Sequence, residues 1–314
     1  MSRTAAARTG QPDASHKPKK FNREALTGYG FALPFFILFI LSFAIPIVAA
    51  VYSSLFKNKV TQGGFGPIVP TFVGLENYID TIHNHVFWDG MWNVVAYGVI
   101  KIPLVQGAAL ILALLLDSLA ARGVKYFRLG YFLPYAIPGV IAAVMWSYMY
   151  HPNLSPFKST LEALGLPSDF FLHSHMLNFS MSNMTAWTFV GYNMIIFMAT
   201  LKSVPHDLYE AARIDGASEW RIVREIKIPL LKNALLMTVL MSIIGTVQWF
   251  NEPIVMGTMV PTVTSNYTPM MLAYQEGFSN GNLGGANAIS VLMAIIAGIL
   301  ALIYAWAQSR IAKD

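Results

Sequence analysis

Two helical faces that combine hydroxyls with an aromatic ring can be laid out on this sequence. Ser242, Thr246 and Trp249 recur at i, i+4 and i+7, which places two hydroxyls and an indole on one side of a helix. Thr185, Thr188 and Tyr192 make a comparable face in an earlier apolar stretch. Aromatic rings cover the apolar faces of pyranose-like rings, and hydroxyls exchange hydrogen bonds with ring hydroxyls that have lost water. The same residues have a plainer use, because Ser and Thr tie apolar helices together and Trp and Tyr anchor them at an interface. Lys101 is the third feature, an ammonium inside an otherwise apolar run. A lysine there costs roughly 2.5–3.5 kcal/mol, so it marks an interior path or snorkels to the nearer surface.

Other chemistry is thinly represented. His83 and His85, and again His173 and His175, form HxH pairs of a kind that can hold a metal, but no carboxylate cluster accompanies them, and they read as loop histidines. The absence of cysteine excludes disulfides, zinc-thiolate sites and thiol nucleophiles. No GxxxxGK[ST] run occurs, so the chain lacks the backbone cradle and lysine that hold nucleotide phosphates and is not expected to be an enzyme.

The elements that position these residues follow from charge. Of 314 residues, 55% are hydrophobic and only 12% charged, against about 25% in a soluble domain. The net charge of +5 invites a nucleic-acid reading, but that needs a basic surface this composition cannot supply. Uncharged windows at 25–56, 129–157, 170–201, 233–251 and 277–309 each approach or exceed the roughly 20 residues that cross hydrocarbon. A sixth, Asn93 to Leu116, is interrupted only by Lys101 and Gln106. The expectation is an all-α integral membrane protein with six transmembrane helices at about 29–56, 93–116, 129–150, 183–202, 233–251 and 286–308.

Residues 1–28 carry Arg3, Arg8, Lys17, Lys19, Lys20 and Arg23 and read as a disordered basic cytoplasmic tail. The apolar stretch after Gly30 is too long for a signal-peptide core and is taken as a retained helix. Apart from Lys101, only Lys57, Lys59 and Lys158 among the 21 Lys and Arg then fall in outer segments, and both termini are expected in the cytoplasm. Pro34, Pro46, Pro103, Pro134 and Pro138 lie inside spans and predict kinked, bundled helices.

The longest inner connection, 203–232, reads as helix, turn, helix. Asp207 and Glu210 resemble a capping box opening a helix over Leu208 to Asp215. Gly216 suits the left-handed residue that ends it, and Ser218 suits the cap of a second helix stopping before Pro229. Leu208, Ala211 and Ala212 on one side give a small, apolar docking face.

Glu210-Ala211-Ala212, three residues, Gly216, nine residues, then Ile226-Lys227-Ile228-Pro229 resembles the EAA signature of permease subunits in binding-protein-dependent ABC importers. Ile228 stands where the pattern has Leu. The run Arg213 to Ser218 followed by Trp220, FVGLENY at 72–78, Phe87-Trp88, and FRLGYFLPYAIPGVIAAVMW at 127–146 are similar to sugar permeases of the maltose, lactose or glycerol-phosphate uptake type.

That resemblance implies a six-transmembrane-helix ABC importer permease fold in the prokaryotic inner membrane, surrounded by lipid. It implies pairing with a second homologous permease subunit, two ATP-binding subunits that bind ATP and Mg, and an extracytoplasmic sugar-binding protein. The chain would bind no cofactor, metal or nucleic acid itself. Glu210, Ala211, Ala212, Asp215, Gly216, Ile226 and Pro229 would couple to the ATPase. Tyr192, Thr185, Thr188, Ser242, Thr246, Trp249 and Lys101 would border a mid-membrane sugar path used by alternating access. The alternatives are an ABC permease for a polyol, glycerol phosphate or peptide, and an ion-driven secondary transporter, which would call for interior acids; within the six spans only Asp117, at one end, is acidic.

Overall fold

The computed structural model describes residues 23–60, 67–118 and 121–311. Arg3, Arg8, Lys17, Lys19 and Lys20 of the expected tail lie outside them. The chain divides into two units, Met1–Ala49 and Ala50–Asp314. In the first, α1 (Arg23–Phe39) begins inside the segment expected as tail and runs on through Pro34. A π-helical turn over Ile40–Ala44 leads into α2 (Ile45–Ser53). There the N–H of Ile45 reaches back five residues to Ile40. Pro46, which has no N–H and whose ring crowds the carbonyl four residues earlier, follows at once, so the wider turn absorbs it.

The second unit adds a feature that the reading by spans omits, an antiparallel hairpin of β1 (Phe56–Val60) and β2 (Ile68–Phe72) in the register Phe56 with Phe72 and Val60 with Ile68. Next come α3 (Glu76–His83) and α4 (His85–Leu116). Helix α4 starts earlier than the expected Asn93 because the side chain of Asn84 caps it, accepting the Val86 N–H at 3.0 Å. It continues through Pro103 without a break.

The expected span at 129–150 is not one straight helix. α5 (Val124–Phe132), extended by a 3-10 turn over Leu133–Ala136, meets α6 (Gly139–Tyr150) at 100°. Two prolines four residues apart remove backbone donors one turn apart, and Ile137, which precedes Pro138, is extended, so the helix stops there and α6 restarts after Pro138.

After α7 (Lys158–Ala163), α8 (Ser174–Lys202) begins well before the expected residue 183. The chain then forms α9 (His206–Ile214), α10 (Glu219–Ile222), a π-turn over Val223–Lys227, α11 (Ile228–Leu230) and α12 (Lys232–Val247). It closes with α13 (Asn251–Met256), α14 (Pro269–Tyr274) and α15 (Leu283–Ile311). Among the described residues four helical stretches are long and apolar enough to cross a membrane, Thr27–Ser53, His85–Leu116, Ser174–Lys202 and Leu283–Arg310. The number reaches six if the bent pairs Val124–Ala136 with Gly139–Tyr150 and Glu219–Leu230 with Lys232–Val247 each count as one.

Within the second unit α4 and α8 pack along their lengths. Ala109 and Ala113 of α4 meet Met194, Phe197, Met198 and Leu201 of α8, with Leu231 closing the cluster from the start of α12. Small residues on α4 let the larger ones on α8 approach. Gly191 has the same use against α5, since a Cβ there would collide with the Tyr131 carbonyl.

Candidate functional site

A cavity of about 220 Å³ opens among α4, α8, α12 and the start of α13. It depends on a close crossing of α4 and α12. A Cβ on Gly98 would lie 2.9 Å from Thr246 Cγ2, so glycine at 98 is what lets the two helices meet there. Beside the crossing, Lys101 does not snorkel outward. It is 7% exposed, lines the cavity, and donates to Thr246 Oγ1 at 3.1 Å and to the Ser242 carbonyl at 3.3 Å. Thr246 Oγ1 itself donates to the Ser242 carbonyl at 2.7 Å.

One turn and a half along α4, Gln106 bridges the same partner helix. Its Nε2 donates to Ser242 Oγ at 2.9 Å while its Oε1 accepts from Thr238 Oγ1 at 2.9 Å. Thr238, Ser242 and Thr246 thus form an i, i+4, i+8 row whose hydrogen-bonding capacity is met by α4, as buried polar groups require.

The opposite wall comes from α8 and α13. Thr185 Oγ1 donates to Glu252 Oε1 at 2.5 Å, and having one proton it accepts from the Tyr97 hydroxyl, 2.6 Å away. Trp249 lies flat on Tyr97, with ring centroids 3.7 Å apart and planes 2° from parallel. Tyr192 stacks on Tyr135 at 4.5 Å and is 38% exposed.

Of the seven residues expected on the path, Lys101, Thr185, Tyr192, Ser242 and Trp249 line this cavity. Thr188 and Thr246 do not. Thr188 is buried and donates back to the Met184 carbonyl of its own helix, and Thr246 is committed to the α4 contact. Tyr97 and Glu252 were missed. Glu252 falls one residue beyond the expected span end at 251 and so in an outer loop, whereas α12 ends at Val247 and Glu252 opens α13, which turns back to the cavity wall. Tyr97 lies one turn before Lys101 on α4 and was passed over as an apolar residue.

The second cluster is the segment from α9 to α11. Its corner is a Schellman motif: Gly216 has φ +82°, its N–H donates to the Arg213 carbonyl at 3.0 Å, and the Ala217 N–H donates to the Ala212 carbonyl at 2.9 Å. Ser218 then caps α10, accepting the Arg221 N–H at 3.3 Å. Two local expectations need correction. No side chain caps α9, which opens at Pro205, so the Asp207–Glu210 capping box does not form; a proline preset at φ −56° starts the helix instead. The second helix does not stop before Pro229. The Val223–Lys227 π-turn, in which the Ile228 N–H reaches Val223, lets the chain pass Pro229, and the 59° bend comes at Leu231.

Glu210, Ala211, Asp215 and Gly216 are exposed and Ala212 half-buried; Ile226 is half-buried and Pro229 exposed. Leu208, Ile214 and Trp220 are 46%, 86% and 72% exposed around the corner. Arg213 Nε donates to Glu219 across it at 2.7 Å, and that guanidinium holds the Glu219 carboxyl below its usual range. Burial, then the Asp117 charge, pushes the Tyr209 phenol up. The His173 and His175 rings stack at 5.6 Å, His173 Nε2 lies 3.4 Å from Asp169 Oδ1, and His83 bonds the Ile79 carbonyl.

Residues 107–314 match the family described as binding-protein-dependent transport system inner membrane component. The chain is 30% identical to the probable ABC transporter permease protein YurN of Bacillus subtilis over 90% of its own length and 95% of that protein's. It is 28% identical to the arabinooligosaccharides transport system permease protein AraP of the same organism, covering 88% and 86%. To the sn-glycerol-3-phosphate transport system permease protein UgpA of Rhizobium meliloti it is 29% identical, covering 90% and 95%. Its fold superposes with a TM-score of 0.79 on a chain from a bacterial ABC transporter involved in import of the acidic polysaccharide alginate, at 18% identity, over 92% and 97% of the two chains. With the helix–glycine–helix corner in place and the match covering well over half its length, the chain belongs to the inner membrane components of binding-protein-dependent transport systems.

Proposed function

We propose that this chain is the permease subunit of an ABC importer for a sugar. The exposed corner carries the reading: two short helices meet at a left-handed Gly216 and present Leu208, Ile214 and Trp220 outward. Large exposed apolar side chains on a rigid turn suit a partner surface rather than water. The partners are two ATP-binding subunits, which bind ATP and Mg, and a second homologous permease. A binding protein delivers the solute, as in the solved alginate transporter in complex with its pentasaccharide-bound periplasmic protein.

In this reading both bent pairs are spans, giving six crossings with both termini in the cytoplasm of a prokaryotic cell. Closure of the ATPases moves the corner, and the cavity at Lys101, Thr185 and Tyr192 takes up the solute in alternating access. Its mix of hydroxyls, a carboxylate and stacked aromatics suits hydroxyl-rich, uncharged rings. A glycerol phosphate is the second reading, favoured by the likeness to UgpA and by the Lys101 ammonium in the wall, with the Glu252 carboxylate in the same wall opposing a dianion.

The test is a purified, reconstituted complex with its binding protein. Sugar-loaded binding protein should raise ATP hydrolysis and drive uptake, and Glu210→Ala should abolish both while α4, α8 and α12 remain inserted. Full stimulation in Glu210→Ala would overturn the assignment.

A further inference from the structure

Lys227 lies in the π-turn of the corner segment, yet it points inward and is 5% exposed. Its Nζ meets Asp117 Oδ2 at 2.6 Å, the Asp117 main-chain carbonyl at 3.4 Å, and lies 5.3 Å from the centre of the Tyr209 ring. Asp117 is the C-cap of α4, so the ammonium answers both a carboxylate and the negative end of a 32-residue helix. Among the described residues the pair is the first of three polar links, counted from the corner, between α4 and the chain running from the corner into α12. Gln106 with Thr238 and Ser242 is the second, and Lys101 with Ser242 and Thr246, at the cavity, is the third. Between the links the contact is apolar, as at Ala109, Ala113 and Leu231, whereas a desolvated ion pair has one good geometry.

We propose that Lys227 and Asp117 are a latch that makes α4 travel with the corner, so that displacement of the corner reaches Lys101 at the cavity wall. This rests on the reading of the corner as the ATPase dock. Both residues are positioning residues, since neither touches the cavity. The π-turn is part of the device: one extra residue in that turn rotates Lys227 inward while letting the chain pass Pro229.

The test uses the assembled complex and exploits the absence of native cysteine. Spin labels at Leu115 and Arg224, both exposed, report the distance from α4 to the corner, and a second pair at Arg224 and Leu164 reports movement of the corner itself. Upon addition of a non-hydrolysable ATP analogue, the second distance should change and the first should not. In Lys227→Met the first should change as well, and sugar moved per ATP hydrolysed should fall about tenfold, with the ATPase still bound. The exchange Asp117→Lys with Lys227→Asp should restore the ratio to within about threefold, which a merely structural loss would not allow. If the second distance is fixed in the unmodified complex, the dock reading falls and the latch with it. If the first distance changes equally with and without Lys227, or the exchange gives no rescue while the complex stays assembled, the latch alone is overturned.

Discussion

The corner and the cavity solve opposite problems. The corner is built from about twenty consecutive residues, and its geometry is backbone geometry: a left-handed glycine, two carbonyls satisfied by the next two N–H groups, and a serine cap. The cavity takes residues from α4, α8, α12 and α13, and its geometry is set by which side chain answers which across four helices. The corner should therefore fail through single backbone changes, and the cavity through packing and pairing.

Gly216→Val should have the largest effect. Valine resists positive φ, so the Schellman bonds and the direction of α10 should be lost together. ATPase co-purification and uptake should fall at least about tenfold, with the spans inserted as before; cysteine accessibility and co-purification measure the two halves of that expectation. Normal co-purification would mean that the corner is not the dock.

Trp249→Ala and Tyr192→Ala split the cavity's two aromatics. Trp249 is 3% exposed and covers Tyr97, so its loss should destabilise the complex by about 3–5 kcal/mol and lower its Tm. Tyr192 is 38% exposed, so its truncation should leave the Tm within a few degrees and instead reduce uptake per assembled complex. The paired measurement is Tm and uptake; equal losses of Tm would remove the distinction drawn between packing and lining.

Gly98→Val tests the crossing that makes the cavity. The added methyls must displace Thr246, at a cost of about 1–3 kcal/mol, and should separate Lys101 from its partners on α12. A lower Tm with reduced uptake is expected; an unchanged Tm would show that α4 and α12 can move apart freely.

The smallest effect should come from pH at the corner. Arg213 lowers the Glu219 carboxyl, so the folded pKa lies below the unfolded one, and the pair's contribution is present above the unfolded value and lost only as pH falls through the lowered one. Glu219 is exposed and Arg213 half-buried, and the carboxyl titrates on the acid side, so ATPase stimulation should show no step from this pair around neutrality. Glu219→Gln in a pH series checks it, and a large change in the profile near neutrality would give the pair a role the geometry does not.

This contrast also explains what could be read from residues alone. The corner was legible because its causes are local: Gly216 in the left-handed conformation and the Ser218 cap specify the turn from neighbouring residues alone. Its errors were local too, at Pro205, which starts α9 in place of a capping box, and at Pro229, which a π-turn carries through. The cavity was half legible. Periodicity placed Thr185, Tyr192, Ser242 and Trp249 on faces, but it cannot say that Thr188 bonds its own helix or that Thr246 is spent on Lys101. Glu252 and Tyr97 were invisible because their importance comes from partners more than 60 residues away. Helix positions followed from apolar length and a kink near Pro134 and Pro138 from the prolines themselves, while the size of that bend, 100°, and the hairpin after α2 depended on tertiary context.

In the proposed function the ATP-binding subunits hold this chain at the corner. Ile214 is its most exposed apolar side chain, 86% accessible, and Leu164 is a control of similar character, 68% accessible, placed by the proposed topology on the far side of the membrane. Cysteine is placed singly at each in the assembled complex and treated with a short bifunctional thiol-to-amine crosslinker. An adduct with an ATP-binding subunit is expected from Ile214→Cys and none from Leu164→Cys. An adduct from Leu164→Cys, or none from Ile214→Cys in a complex that still contains the ATPase, would contradict docking at the corner.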